Sequence, residues 1–140
     1  MTIEEKIGQL AADKFSDFSY MLEDWYDADM AVERLTLPAI ICLLPVSGNI
    51  EYRNGRNYDT VNIALAFIKA VPRNANGEDN DKAFNEMKDA GRRFIAELNK
   101  SGFFEPIGGL INYYTIYEQL SSIVTGVYFE LTLTAKSGRC

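Results

Sequence analysis

The stretch that decides the fold is Val127-Tyr128-Phe129-Glu130-Leu131-Thr132-Leu133-Thr134, opened by Gly126. Val127, Phe129, Leu131 and Leu133 point one way; Tyr128, Glu130, Thr132 and Thr134 point the other. Period-two alternation over eight residues, rich in aromatic and β-branched types, predicts a strand with one buried face and one wetter face. The chain therefore ends as part of a sheet, and the rest is read as what that sheet packs against.

Working backwards, Ile111 to Leu120 predicts a penultimate strand with Tyr113, Thr115 and Tyr117 on one face, and Ser121-Ser122 and Thr125-Gly126 predict the breaks before the last strand. A long helix precedes it. Phe84, Met87, Gly91, Phe94, Ile95 and Leu98 form one stripe, Asp79-Asn80-Asp81 is expected to cap its start, and Gly102 stands where a C′ glycine ends a helix. Thr60 to Val71 predicts a central strand with Val61, Ile63, Leu65 and Phe67 on one face and the small Ala64 and Ala66 on the other. Pro72 to Asp81 is expected to be a loop.

Leu37 to Leu44 predicts a buried strand entered at Pro38, where a missing N–H donor is tolerated. Pro45, Gly48 and Asn54-Gly55-Arg56-Asn57 predict a turn-rich hairpin arm with Ile50 and Tyr52 extended between the turns. At the start, Thr2 and Glu5 form a capping box for a helix from about Ile3 to Phe15 or a little beyond, with Ile3, Ile7, Leu10, Ala11, Phe15 and Phe18 at helical spacing. Tyr20 and Leu22 suggest an extended segment, and Ala28 to Leu35 reads equally as a short helix or a strand. Strands that do not alternate singly with helices predict one α+β domain over 1–140: a mainly antiparallel sheet with two principal helices on one face.

At 140 residues the chain can bury roughly 68–70% of its unfolded surface, so a core needs no disulfide or metal. Its two cysteines, Cys42 in an apolar run and Cys140 at the last position, make no disulfide framework. The acidic start lacks a basic and apolar leader, which predicts a chain not exported by that route. Net charge is −6 with no histidine, and the densest basic site, Lys88 with Arg92-Arg93, reads as a solvated helix face. Phosphate neutralisation supplies most nucleic-acid affinity, so direct nucleic-acid binding is not expected. The longest apolar run is far short of a bilayer span.

The candidate chemistry is thin. Glu23, Asp24, Asp27 and Asp29 could gather around a hard cation, but Met30 and Ala31 break the EF-hand pattern, and Gly77-Glu78-Asp79-Asn80-Asp81 reads as a helix cap. Without histidine the common Ser-His and Cys-His nucleophile arrangements are impossible. Neither GxGxxG nor a Walker lysine occurs. The expectation is therefore no enzyme, with no catalytic, cofactor-binding or metal residues and no cofactor. Eight tyrosines, among them Tyr113, Tyr114, Tyr117 and Tyr128, suggest either sheet packing or a contact surface.

The order of elements resembles the small tail-completion proteins of long-tailed phages and prophages, of the tail-terminator or minor-tail-protein type, and in particular versions encoded in prophages of Bacteroides-type bacteria. The residues that carry the resemblance are the amphipathic first helix and Leu37-Pro38-Ala39-Ile40-Ile41 entering a strand, followed by Pro45 through Gly55 as an arm. They continue with Tyr58 through Phe67, the long helix, and Ile123-Val124-Thr125-Gly126-Val127 closing the sheet. The resemblance implies a homo-oligomeric ring of six subunits, contacts with other tail or connector proteins, no membrane, and residence in the host cytoplasm during assembly and then in the virion tail. The acidic balance suits such a lumen, because carboxylates repel passing DNA. Two other classes stay open: a host protein binding a small ligand between helices and sheet, and a hydrolase built on a carboxylate pair.

Overall fold

The computed structural model describes residues 3–23, 37–71, 76–119 and 124–134. Its elements are helix α1 (Ile3–Lys14), strands β1 (Ser19–Glu23), β2 (Ala39–Arg53) and β3 (Arg56–Ala70), helix α2 (Gly77–Ser101), and strands β4 (Tyr113–Gln119) and β5 (Val124–Thr134). The five strands lie in the order β1-β2-β3-β5-β4. Every pairing is antiparallel except β1 with β2. The fold is α+β with both helices on one face of a mostly antiparallel sheet.

Alternation decides what each face buries. Val61, Ile63, Leu65 and Phe67 of β3, Val127, Phe129, Leu131 and Leu133 of β5, and Ile40 and Cys42 of β2 face the helices. There they meet Ile3, Ile7 and Leu10 of α1 and Phe84, Met87, Phe94 and Leu98 of α2 in one core. At its centre the Phe67 ring stands edge-on to Phe94 at 5.7 Å and to Phe129 at 5.9 Å, and Phe15 lies 5.1 Å from Phe94. The opposite face buries Ala39, Ile41, Leu43, Ala66, Ile68, Ile116 and Val124 as a second cluster.

Helix α2 is held at both ends. Asn76 is its N-cap: the side chain accepts from the Asp79 N–H at 2.9 Å, and the Asp79 carboxylate accepts from the Asn76 N–H at 3.2 Å, a complete capping box. The helix thus starts earlier than the expected cap at Asp79-Asn80-Asp81, because Asp79 occupies the third helical position. Residues 77 to 80 are helical where a loop is expected, and 72–75 lie outside the described residues. Near its start, Asn80 accepts a 2.6 Å bond from the buried Thr125 hydroxyl of β5, and Glu86 pairs with Lys69 of β3 at 2.6 Å. At the far end Gly102 takes the left-handed conformation (φ 76°) that closes the helix.

One other expectation is corrected. Thr125-Gly126 does not break the last strand: β5 begins at Val124 and runs through both, with Gly126 paired to Ile68 and Ile116. Gly126 is there for space, since a Cβ would collide with the Phe67 carbonyl of the neighbouring strand. The expected hairpin arm is a paired ladder from Ser47 onward, with Arg53 pairing Arg56 across a tight turn in which Asn54 (φ 53°) and Gly55 (φ 77°) are both left-handed. Thr2, Ala28 to Leu35 and the acidic cluster from Asp24 to Asp29 lie outside the described residues.

Two substitutions test this packing. Phe94→Ala removes a fully buried ring that packs on Phe15 and Phe67 and is expected to cost ~3–5 kcal/mol, read from the denaturant midpoint; a loss below ~1 kcal/mol would show that the two elements do not pack this way. Gly91→Ala is the sharper case. Helix propensity alone favours alanine by ~1 kcal/mol, but the new Cβ enters the Phe129 ring, so we expect net destabilisation rather than gain.

Candidate functional site

The β2–β3 hairpin outgrows the sheet that supports it. Strand β5 ends its pairing where Thr134 meets Thr60, and the two hydroxyls bond at 2.8 Å. The short β1 accompanies β2 only as far as Leu43. Beyond these points, among the described residues, Asn49 to Arg53 and Arg56 to Asp59 pair only with each other. Among those residues this ribbon is an arm that no third strand flanks. Ile50 is 59% exposed and Tyr52 75% exposed, on the same side of the ribbon as the helices.

The arm is stiffened locally. Arg53 pairs with Glu51 at 2.8 Å, and its guanidinium lies 4.0 Å from the centre of the Tyr58 ring. Arg56, also in the turn, has no ion-pair partner among the described residues. At the base of the arm a polar line crosses three strands: Asn62 donates to Ser47 Oγ at 2.8 Å and accepts from Thr132 Oγ1 at 2.8 Å. These side chains lie on the face away from the helices.

That line forms one wall of a groove of about 750 Å³. The opposite wall is the connection from Pro106 to Asn112, anchored to α2 through Asn99, whose side chain accepts from the Ile107 N–H at 2.7 Å and donates to the Ile107 carbonyl at 3.2 Å. Leu110 stands 98% exposed at its rim. Of the described residues lining the groove only Glu130 is charged. Tyr114, stacked on Tyr128 with ring centres 5.0 Å apart, has its phenol pKa raised above the ordinary value because Glu130 accepts its hydrogen bond.

The tyrosines singled out from the sequence divide accordingly. Tyr114 and Tyr128 flank the groove, Tyr113 packs against Phe84 and Phe129, and the Tyr117 side chain lies outside the described residues. Ile50, Tyr52 and Leu110 carry the most exposed apolar surface, and sequence reading did not single them out as a set. The available signal was Asn54-Gly55 between alternating runs, which specifies a hairpin and hence two long strands rather than a loop.

A third feature is Tyr20 with Cys42. The Tyr20 ring lies over Gly8 of α1, and its buried hydroxyl has no conventional hydrogen-bond partner. It faces the Cys42 thiol, a weak acceptor at best. Burial pushes the Cys42 thiol up to about 11, against a partial lowering by the Tyr20 hydroxyl, and burial followed by Cys42 raises Tyr20 as well. A thiol held protonated in a packed core is neither a ready nucleophile nor a ready metal ligand. Among the described residues no three Cys, Asp or Glu side chains gather as a metal site, and no helix is long and apolar enough to cross a membrane.

Comparison with protein-family models and with curated proteins gives no match for this chain. The arm and the groove therefore carry the functional reading.

The Cys42 environment is directly testable. Since the folded state holds the thiol proton to about pH 11 and the ordinary value is 9.0, its stabilising contribution is complete below about pH 9 and is lost as pH rises through 11. At pH 8, peptide-mapped alkylation should find Cys42 unmodified in the native protein and fully modified in denaturant. Rapid native labelling would show that the site is open.

Proposed function

We propose that this chain is a structural subunit of a phage or prophage tail, a tail terminator or head-tail joining protein, that assembles into a ring and acts through its surfaces rather than by turnover. The observation that carries the reading is the arm. Among the described residues, a hairpin extended past its sheet leaves backbone donors and acceptors along both edges without a strand partner and exposes Ile50 and Tyr52. Such edges invite pairing with another chain, and natural proteins usually cover or blunt them. A protein whose task is to meet neighbouring copies has a use for them.

Three further points support it. The order of elements resembles that of the small tail-completion proteins. The net charge of −6 fits a tube lining that lets DNA pass without adsorbing it. In a closed ring each copy offers its neighbours two different surfaces, and the arm and the groove are two such surfaces. The proposed partners are further copies of this chain and adjoining tail or connector proteins, in the host cytoplasm during assembly and in the tail afterwards. A small-ligand role calls instead for an enclosed apolar pocket, whereas this groove is open along one side and partly polar.

The test is composition. In tail particles purified after prophage induction, quantitative mass spectrometry is expected to find the chain at a fixed small copy number per particle, with tails of irregular length or unjoined heads when its gene is deleted. Its absence from the particles, with normal virions from the deletion, would overturn the reading.

A further inference from the structure

Taking the ring reading as its basis, we propose that the arm tip of one copy seats in the groove of the next, with Arg56 of the tip against Glu130 of the groove. Charge complementarity selects this occupant. The turn from Arg53 to Arg56 contains two cations and no acid, and Glu51 already engages Arg53. That leaves Arg56 as the unpaired charge of the tip among the described residues. Among the described residues the groove, in turn, has a single charged lining residue, and it is of the opposite sign: Glu130, exposed and without an ion pair among those residues.

Shape and polarity agree with the charge. A two-stranded ribbon presents backbone N–H and C=O groups at its edges, and the groove offers Ser47, Asn62, Asn112 and Thr132 to meet them. The exposed Tyr52 near the tip and the exposed Leu110 at the rim are apolar surfaces of the size that an interface covers. A copy cannot fill its own groove with its own tip. The groove lies at the base of the same hairpin, and the ribbon between Gly48 and Arg53 is a continuous ladder leading away from it. Seating the tip therefore requires a second molecule, and two different patches on each molecule make a head-to-tail contact.

Charge reversal tests the pairing with the full chain. Arg56→Glu, Glu130→Arg and the double variant alter exposed side chains, so unchanged thermal unfolding confirms that each is folded. By sedimentation velocity from micromolar to millimolar protein, the unaltered chain is expected to self-associate. Each single reversal should weaken that association by about tenfold or more, and the double variant should recover most of the loss. The single-variant effect should shrink as salt is raised. Association that ignores both reversals, or a double variant no better than the singles, overturns the pairing and leaves the ring reading intact. A chain that stays monomeric at millimolar concentration also overturns the pairing, while tail-particle composition still decides the tail reading. Rescue by the double variant in a species that stops at two copies supports the pairing and overturns the ring.

Discussion

Everything in this molecule hangs on strand β3. Its helix-facing side supplies Val61, Ile63, Leu65 and Phe67 to the main core, its other side supplies Ala66 and Ile68 to the second cluster, and it pairs along nearly its whole length with β2 or β5. The contact that fixes the layers is Phe67 against Phe94 and Phe129. Three rings meeting edge-on at separations of 5.7 and 5.9 Å are favourable beyond the area they bury. They also set how close α2 can come, which is why the helix places Gly91 over Phe129, where a methyl group would not fit.

Periodicity made much of this legible. The alternation in Val127 to Thr134 and in Val61 to Phe67 assigned the correct residues to the core face, and the stripe from Phe84 to Leu98 assigned the correct side of the long helix. What escaped was governed by tertiary contacts. Gly126 reads locally as a breaker, yet it is the residue the sheet requires beside the Phe67 carbonyl. Asn76 could not be preferred as a cap over the acidic run that follows it, because the reciprocal bond with Asp79 is visible only once the turn has formed.

The arm and groove were legible to different degrees. Asn54-Gly55 carried the turn in plain view, but the exposure of Ile50 and Tyr52 depends on where β5 stops, and no local pattern records that. The groove is assembled from β2, β3, β5 and the connection after α2, so its lining residues are scattered across the chain and Glu130 looks like any outward residue of an alternating strand. Its isolation as the one charge among the described residues of that concavity is a property of the fold.

The irregularity in β2 has a consequence of its own. Residues 44 to 46 stand opposite the single Ile63, so β2 gains two residues on β3 between Leu43 and Ser47. Two is an even number, and it preserves which residues look toward the helices: Ile50 and Tyr52 share a side with Ile40 and Cys42. Loss or gain of one residue there would turn the ribbon over, exchanging Ile50 and Tyr52 for Glu51 and Arg53 on that side. Insertions of matched residue pairs nearer the tip would instead lengthen the reach in increments of ~7 Å per two residues without inverting it. Length variation among descendants of this chain is thus channelled: spacing between partners can drift in discrete steps, while the chemical identity of each side of the ribbon is kept.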